Sequence, residues 1–180
     1  MLLNGTASTA RTDSFAKGPP ETGKRIEDEI MKTTDELVIE LADREAIREL
    51  PVRYCDCVWQ NDLKTMVELF VEDGIFVIKG REREAATKGR AELRKMYEQA
   101  LGETSPRPYI HNHVVNLQSR TKATGRCYVE LRSAARDMEW IGTGFYDDEY
   151  MKVGDQWKFA SRRFTSIRLS TAPAQSGRKS

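Results

Sequence analysis

The sequence predicts an α+β fold, in which a cone-shaped, strongly curved antiparallel sheet wraps around N-terminal helices. Two observations support this prediction. Apolar residues recur at helical spacing as far as Leu101, whereas β-branched and aromatic residues dominate the segments after Tyr109. Helices followed by long strands with short links are typical of a helical layer packed against an antiparallel sheet.

Two helices are predicted before residue 60. The first follows a tail, residues 1–23, that is rich in Ser, Thr, Ala, Gly and Pro. Its apolar residues are Ile26, Ile30, Leu37 and Leu41. Asp43 is expected to cap the second helix, whose apolar stripe is Ile47, Leu50, Tyr54 and Val58. Pro51 should kink this helix or mark its start, because proline removes a backbone hydrogen bond.

Further elements complete a single predicted domain, residues 24–170, which precedes a polar tail, residues 171–180. Asp62 is expected to cap a short helix, residues 75–78 to form a buried strand, and another helix to follow Gly89. Four long strands are then predicted at residues 109–118, 124–134, 140–152 and 156–169.

The composition bounds the class of protein. A chain of 180 residues suits one domain, and 29 Lys and Arg against 28 Asp and Glu leave a net charge of +1. Such a balance predicts no nucleic-acid partner, and no apolar run approaches the ~18 residues of a membrane span. The chain start lacks the pattern of a secretion signal, and three cysteines fit a reducing compartment, so we expect a cytoplasmic protein.

Cofactor motifs are missing from the sequence. It contains no G-x-G-x-x-G after a strand, no P-loop and no G-x-S-x-G elbow. The sequence therefore predicts chemistry by side chains alone, with no cofactor. His111 and His113 lack an evident third ligand, so no metal site is predicted either.

The two histidines are the first candidates for catalysis. His111 and His113 are spaced to share one face of a strand, with Cβ atoms roughly 7 Å apart. A neutral imidazole near pH 7 can act as general base or acid. The alternative is a histidine that is hydrogen-bonded at the rim of the sheet, and His113 is preferred to His111 for the catalytic role.

Tyr54 and a late arginine are further candidates. Tyr54, on the apolar stripe beneath the sheet, could donate a hydrogen bond to a substrate oxygen or simply pack in the core. Strand alternation places one of Arg162 and Arg163 on the concave side, where a guanidinium could stabilise an anionic oxygen. The other arginine is expected to form an ion pair on the outer face.

Several short stretches share an order and spacing with a known group of proteins. They are residues 44–50 (REAIREL) before Arg53-Tyr54, 69–74 (LFVEDG), 88–90 (KGR), 123–130 (ATGRCYVE), 144–147 (GFYD) and 154–157 (GDQW). Together they resemble the nuclear-transport-factor-2-like superfamily, in particular its SnoaL-like group with the bile acid 7α-dehydratases. The resemblance spans roughly residues 43–169, most of the predicted domain, and implies a homodimer or homotrimer.

The resemblance also implies roles for residues. Dehydratase-like members use a helix tyrosine, an aspartate five residues later, a strand histidine and a late arginine. Tyr54 matches the tyrosine, and His113 or His111 matches the histidine. Trp59 stands at the aspartate position and Ser166 at the arginine position, with Arg162, Arg163 and Arg168 nearby as substitutes.

Trp59 suggests a flat apolar wall for a ring-containing ligand. The expected lining also includes Val58, Cys127, Leu131, Phe164 and Ser166. The sequence thus predicts a cofactor-independent lyase of dehydratase type that acts on a hydrophobic ring compound, with His113, Tyr54 and Arg162 or Arg163 in its mechanism. A ketosteroid-isomerase-like proton shuttle and a non-catalytic binding domain remain the alternatives, and the missing aspartate favours the latter.

Overall fold

A computed structural model describes residues 32–80 and 84–170 of the chain. The helices are α1 (Thr34–Gln60), α2 (Leu63–Glu68) and α3 (Arg90–Glu103), with a 3-10 turn at Ala134–Arg136. The strands are β1 (Phe70–Lys79), β2 (Glu84–Lys88), β3 (Pro106–Leu117), β4 (Lys122–Ser133), β5 (Glu139–Val153) and β6 (Gln156–Leu169). The predicted tails, and the helix expected to begin at Lys24 as far as residue 31, lie outside the described residues.

The strands form one curved, unclosed sheet in the order β2-β1-β6-β5-β4-β3. Together with the helices that precede most of it, this arrangement confirms the predicted α+β class. One pair, β1 with β6, is parallel, whereas the other neighbours are antiparallel. A long connection separates β1 from β6 along the chain, so no hairpin dictates their direction.

One continuous helix replaces the two predicted before residue 60. Thr33 caps α1 through a reciprocal capping box with Glu36. Asp43 is therefore not a cap, which corrects the prediction. It is buried inside α1, and its Oδ1 accepts hydrogen bonds from Lys152 Nζ at 2.7 Å and Trp157 Nε1 at 2.8 Å. These bonds join α1 to β5 and β6, and α1 continues through Pro51.

Irregular pairing in the sheet changes which side chains face the helices. Between Ile110 and His113 the partner strand advances only from Val129 to Cys127, so β3 holds one extra residue. On β6, Phe159 and Ser161 pair with consecutive residues of β5, which leaves Ala160 as the extra residue. Each bulge shifts the alternation of its strand by one position.

The core lies between α1, α3 and the concave face of the sheet, with aromatic rings at its centre. Among the described residues, no helix is both long and apolar enough to cross a membrane.

Candidate functional site

A cavity of about 240 Å³ opens between α1, α3 and the concave face of the sheet. Three phenols and one threonine hydroxyl are the polar side chains of its lining, which holds no carboxylate or imidazole. The lining consists of Tyr54, Val58, Phe76, Ile78, Met96, Tyr97, Ala100, Leu101, Thr104, Pro106, Pro108, Leu131, Ile141, Tyr146 and Phe164. Its shape and chemistry suit an apolar molecule with few polar groups.

Two tyrosines meet at the wall of this cavity. The hydroxyl oxygens of Tyr54 on α1 and Tyr97 on α3 are 2.9 Å apart and share a hydrogen bond. Burial raises the pKa of Tyr54 to about 12 and raises the pKa of Tyr97 well above its usual value. Both phenols are therefore protonated at neutral pH. One of them donates to the other, which leaves one phenolic proton of the pair for a ligand oxygen.

Arg162 lies behind these rings, completely buried. Its guanidinium carbon is 3.8 Å from the centroid of the Tyr146 ring, 4.2 Å from that of Tyr54 and 4.6 Å from that of Phe159. The bulge at Ala160 turns Arg162 to the same side as Phe159, three residues earlier. Aromatic faces stabilise a desolvated cation, so the rings take the place of water around this charge.

Asp148 on β5 provides the counter-charge. It is buried, and its Oδ1 lies 3.5 Å from Arg162 Nε. Burial raises the pKa of Asp148 to about 6, even though Arg162 favours the charged form. The pair places one positive and one negative charge at the centre of an otherwise apolar core.

A hydrogen-bonded array continues from Asp148 to an imidazole. Tyr150 donates its hydroxyl to Asp148 Oδ2 at 3.0 Å, and His113 Nε2 lies 3.0 Å from the same hydroxyl oxygen. Burial, together with the positive charges of Arg162 and Arg48, lowers the pKa of His113 to about 4. The imidazole is therefore neutral at pH 7.

Gly125 leaves space for the contact between His113 and Tyr150. A Cβ at Gly125 would lie 2.9 Å from His113 Nε2 and 3.1 Å from Tyr150 Cε2. Both distances are too short for an ordinary contact. A glycine at this position of β4 lets the imidazole of β3 reach across to the phenol of β5.

The structure separates the two histidines. His113 is half-buried on the concave side, whereas His111 is exposed. The prediction that they share a face is wrong, because the bulge between Ile110 and His113 inverts the alternation. Arg162 and Arg163 do face opposite ways, and Arg163 forms an exposed ion pair with Glu84.

Trp59 does not form a wall of the cavity, contrary to the prediction. Its side chain is at the surface, 38% exposed, and its Nε1 donates to the Pro108 carbonyl at 2.9 Å. The indole ring packs edge-on against Tyr109 and lies near the Arg107 guanidinium. Trp59 comes one residue after Val58, and this step of about 100° around the helix turns it away from the stripe of Tyr54 and Val58.

Some of the remaining predicted lining residues contact the cavity and others do not. Val58, Leu131 and Phe164 line the cavity, whereas Cys127 and Ser166 do not. Cys127 is buried between its strand partners His113 and Tyr146. His113 and Arg162 also lie outside the lining, although Arg162 contacts two rings that belong to it.

Tyr97, Tyr146, Asp148 and Tyr150 were not predicted as site residues. Three of them lie on β5, where alternate residues from Gly142 to Tyr150 are buried. An aspartate in the buried phase of such a strand is unusual and marks a polar centre. In the described part of the chain, no group of three His, Cys, Asp or Glu side chains could hold a metal ion.

Residues 39–163, about two thirds of the chain, match the family of SnoaL-like domains. The chain therefore belongs to the SnoaL-like domain family, and the predicted superfamily is confirmed. Solved structures with this fold include NTF2-like, cystatin-like proteins. Particular closeness to bile acid dehydratases stays a prediction. A comparison with curated proteins gives no significant match.

Three solved structures illustrate the similarity. The Mycobacterium tuberculosis protein Rv3472, of unknown function, is 28% identical with a TM-score of 0.65, over 77% of this chain and 78% of that one. A candidate scytalone dehydratase from Novosphingobium aromaticivorans is 22% identical with a TM-score of 0.63, over 77% and 93%. A hexachlorocyclohexane dehydrochlorinase, LinA type 2, is 18% identical with a TM-score of 0.64, over 74% and 90%.

Proposed function

We propose that this protein is a cofactor-independent lyase that binds a small, hydrophobic, ring-containing alcohol and eliminates water from it. The observation that carries the proposal is the apolar cavity whose wall holds the protonated Tyr54–Tyr97 pair, backed by the buried Arg162 charge. Its fold is shared with a candidate scytalone dehydratase and with a dehydrochlorinase, and both names describe eliminations.

The cavity volume fits a ring compound. A cavity of about 150 Å³ is enough for a benzene molecule, and about 240 Å³ leaves room for substituents. The aromatic and aliphatic lining would hold the ring through burial of apolar surface. The paired phenols would then be the groups that meet a hydroxyl on that ring.

In the proposed reaction, Tyr54 transfers its phenolic proton to the leaving hydroxyl as the carbon–oxygen bond breaks, and water departs. His113 accepts the proton from the adjacent carbon, and the electron pair of that C–H bond forms the new double bond. The Arg162 guanidinium, 4.2 Å from the Tyr54 ring centroid, stabilises the resulting phenolate. Solvent returns the proton from His113 to Tyr54 after release of the product.

His113 is assigned the role of base because it is neutral and its Nδ1 is buried without a partner among the described residues. It lies outside the lining of the cavity, in one cross-strand row with Cys127, Tyr146 and Phe164, the last two of which line the cavity. The proposed role therefore requires that the bound ligand reach past Tyr146 toward Nδ1 of His113.

A binding module is the second candidate function. The observation in its favour is that the cavity lining holds no carboxylate and no imidazole. A ligand could then be held by apolar contacts and by Tyr54 without being converted.

Occlusion of the cavity tests the proposal. Ala100, a half-buried lining residue of α3, would be replaced in Ala100→Trp, with Ala46→Trp on the exposed face of α1 as matched control. A panel of cyclic alcohols would be assayed by absorbance of the new double bond and by thermal shift. We expect turnover and ligand stabilisation in the wild type and the control, and neither in Ala100→Trp.

The outcomes separate the two candidates. Stabilisation by ring compounds without turnover of any alcohol would favour the binding module. Turnover that survives in Ala100→Trp would place the chemistry elsewhere and overturn the proposal.

Two coarser expectations accompany this proposal. A homodimer or homotrimer, which light scattering would show, follows from the family resemblance alone.

The three cysteines are buried free thiols, which supports a reducing, cytoplasmic location.

A further inference from the structure

The hydrogen bonds that join Asp148, Tyr150 and His113 have a defined donor and acceptor at each step. This array joins the Asp148 carboxylate to the His113 imidazole through a single hydroxyl group, that of Tyr150. A phenol carries one proton, so it can donate to only one of these two neighbours. Which neighbour receives that proton determines the protonation of His113.

The carboxylate decides the direction. An ionised carboxylate has no proton to give, so the hydrogen bond between Tyr150 and Asp148 Oδ2 requires that Tyr150 donates. The neighbouring guanidinium of Arg162 favours this ionised form. The oxygen of Tyr150 is then left as an acceptor for His113 Nε2, which must carry the imidazole proton.

We infer that Asp148 and Tyr150 are positioning residues that hold His113 as the Nε2–H tautomer, with Nδ1 as its free basic nitrogen. The inference rests on the proposed function for its purpose, because Nδ1 would be the atom that accepts the substrate proton. The tautomer itself follows from the array alone.

The surroundings of His113 agree with this direction. Its Nδ1 is buried and meets no hydrogen-bond partner among the described residues, so an N–H at this position would have no acceptor. Arg48 on α1 and Arg162 on β6 are the charged groups that act on the imidazole, and both disfavour a second proton. Cys127, its partner on β4, carries a thiol whose pKa burial raises to about 12, so it is not a thiolate acceptor.

Nuclear magnetic resonance of ¹⁵N-histidine-labelled protein tests the tautomer directly. The chain contains two histidines, so His111→Gln leaves a spectrum of His113 alone. At pH 7.5 we expect the ¹⁵N shifts and the couplings to the ring protons to show a protonated Nε2 and an unprotonated Nδ1. A protonated Nδ1 in this spectrum would overturn the inference.

Tyr150→Phe is the decisive variant, because it removes the hydroxyl and keeps the ring. We expect it to lose the single-tautomer spectrum and to give a mixture of both forms. Asp147→Asn, whose side chain lies on the outer face beside Arg126, is the matched control and should keep the wild-type spectrum. A pure Nε2–H tautomer in folded Tyr150→Phe would show that the array does not set it.

The same variants separate this inference from the proposed function. Under the proposed function, Tyr150→Phe lowers kcat of the elimination and leaves KM nearly unchanged, since Tyr150 lies outside the cavity lining. A wild-type Nε2–H spectrum with full turnover in His113→Gln would refute His113 as the base while leaving the tautomer intact. The reverse result, a mixed spectrum with turnover lost in His113→Gln, would refute only the positioning role.

Discussion

The cavity and the charged centre behind it are two regions with opposite chemistry. The cavity is lined by apolar side chains and neutral hydroxyls, whereas the centre holds a buried guanidinium, a carboxylate and an imidazole. The rings of Tyr54 and Tyr146 belong to both regions, because they line the cavity and also lie against Arg162. Under the proposed function, the cavity would select the ligand, and the charged centre would polarise the phenols that touch it.

The charged centre should dominate stability. Replacing Asp148 in Asp148→Asn leaves Arg162 as an uncompensated buried charge, and we expect a loss of ~3–5 kcal/mol in the free energy of unfolding. Urea denaturation at pH 7.5 measures this loss. Asp147→Asn, one residue away, breaks an exposed pair with Arg126 and should have a far smaller effect. Equal losses in the two variants would mean that the buried pair contributes no more to the free energy of unfolding than the exposed pair.

Gly125 offers a smaller change to the same centre. Gly125→Ala would push a methyl group against the Val114 carbonyl oxygen as well as against His113 and Tyr150, and we expect a loss of ~1–3 kcal/mol of stability from overpacking. The control is Gly102→Ala, because a Cβ at this position of α3 meets nothing within 4 Å. This control should be neutral or slightly stabilising. If both variants are equally stable, the contact distances at Gly125 do not constrain the array.

The dependence of stability on pH tests the burial of His113. The folded pKa of His113 is about 4, below the usual value of 6.5, so the unfolded chain binds the extra proton first as pH falls. The wild type should therefore lose stability relative to His113→Gln between pH 6.5 and 4. Asp148, whose pKa is raised to about 6, acts in the opposite direction but is present in both proteins.

Chemical denaturation at several pH values, with His111→Gln as control, measures this difference. The control should follow the wild type, because His111 is exposed in the folded chain. A constant difference between the wild type and His113→Gln would show that the imidazole is not held neutral by burial.

The two regions also differ in how far the sequence predicts them. Helical spacing placed Tyr54 and Val58 on the inner face of α1, and both line the cavity. Strand alternation placed His111 and His113 on one face, which is wrong because one extra residue in β3 inverts the alternation. Such a bulge depends on pairing with β4 and leaves little trace in the local sequence of β3.

Long-range partners explain the remaining differences. Asp148 and Tyr150 could not be recognised as site residues from β5 alone, because their partners Arg162 and His113 lie on other strands. Trp59 was read through its place in a family pattern, yet the helix directs it to the surface. The helical face of Tyr54 and Val58 could be predicted, whereas the bulge in β3 and the contacts between elements required the structure.

The role of Tyr54 as proton donor is tested most directly by comparing Tyr54→Phe with the wild type on a cyclic alcohol that the protein converts. This variant keeps the ring against Arg162 and removes the hydroxyl that is the proposed proton donor. We expect ligand affinity to change little and kcat to fall at least ~10²-fold, while Tyr109→Phe at the surface keeps both. An unchanged kcat in folded Tyr54→Phe would contradict the account.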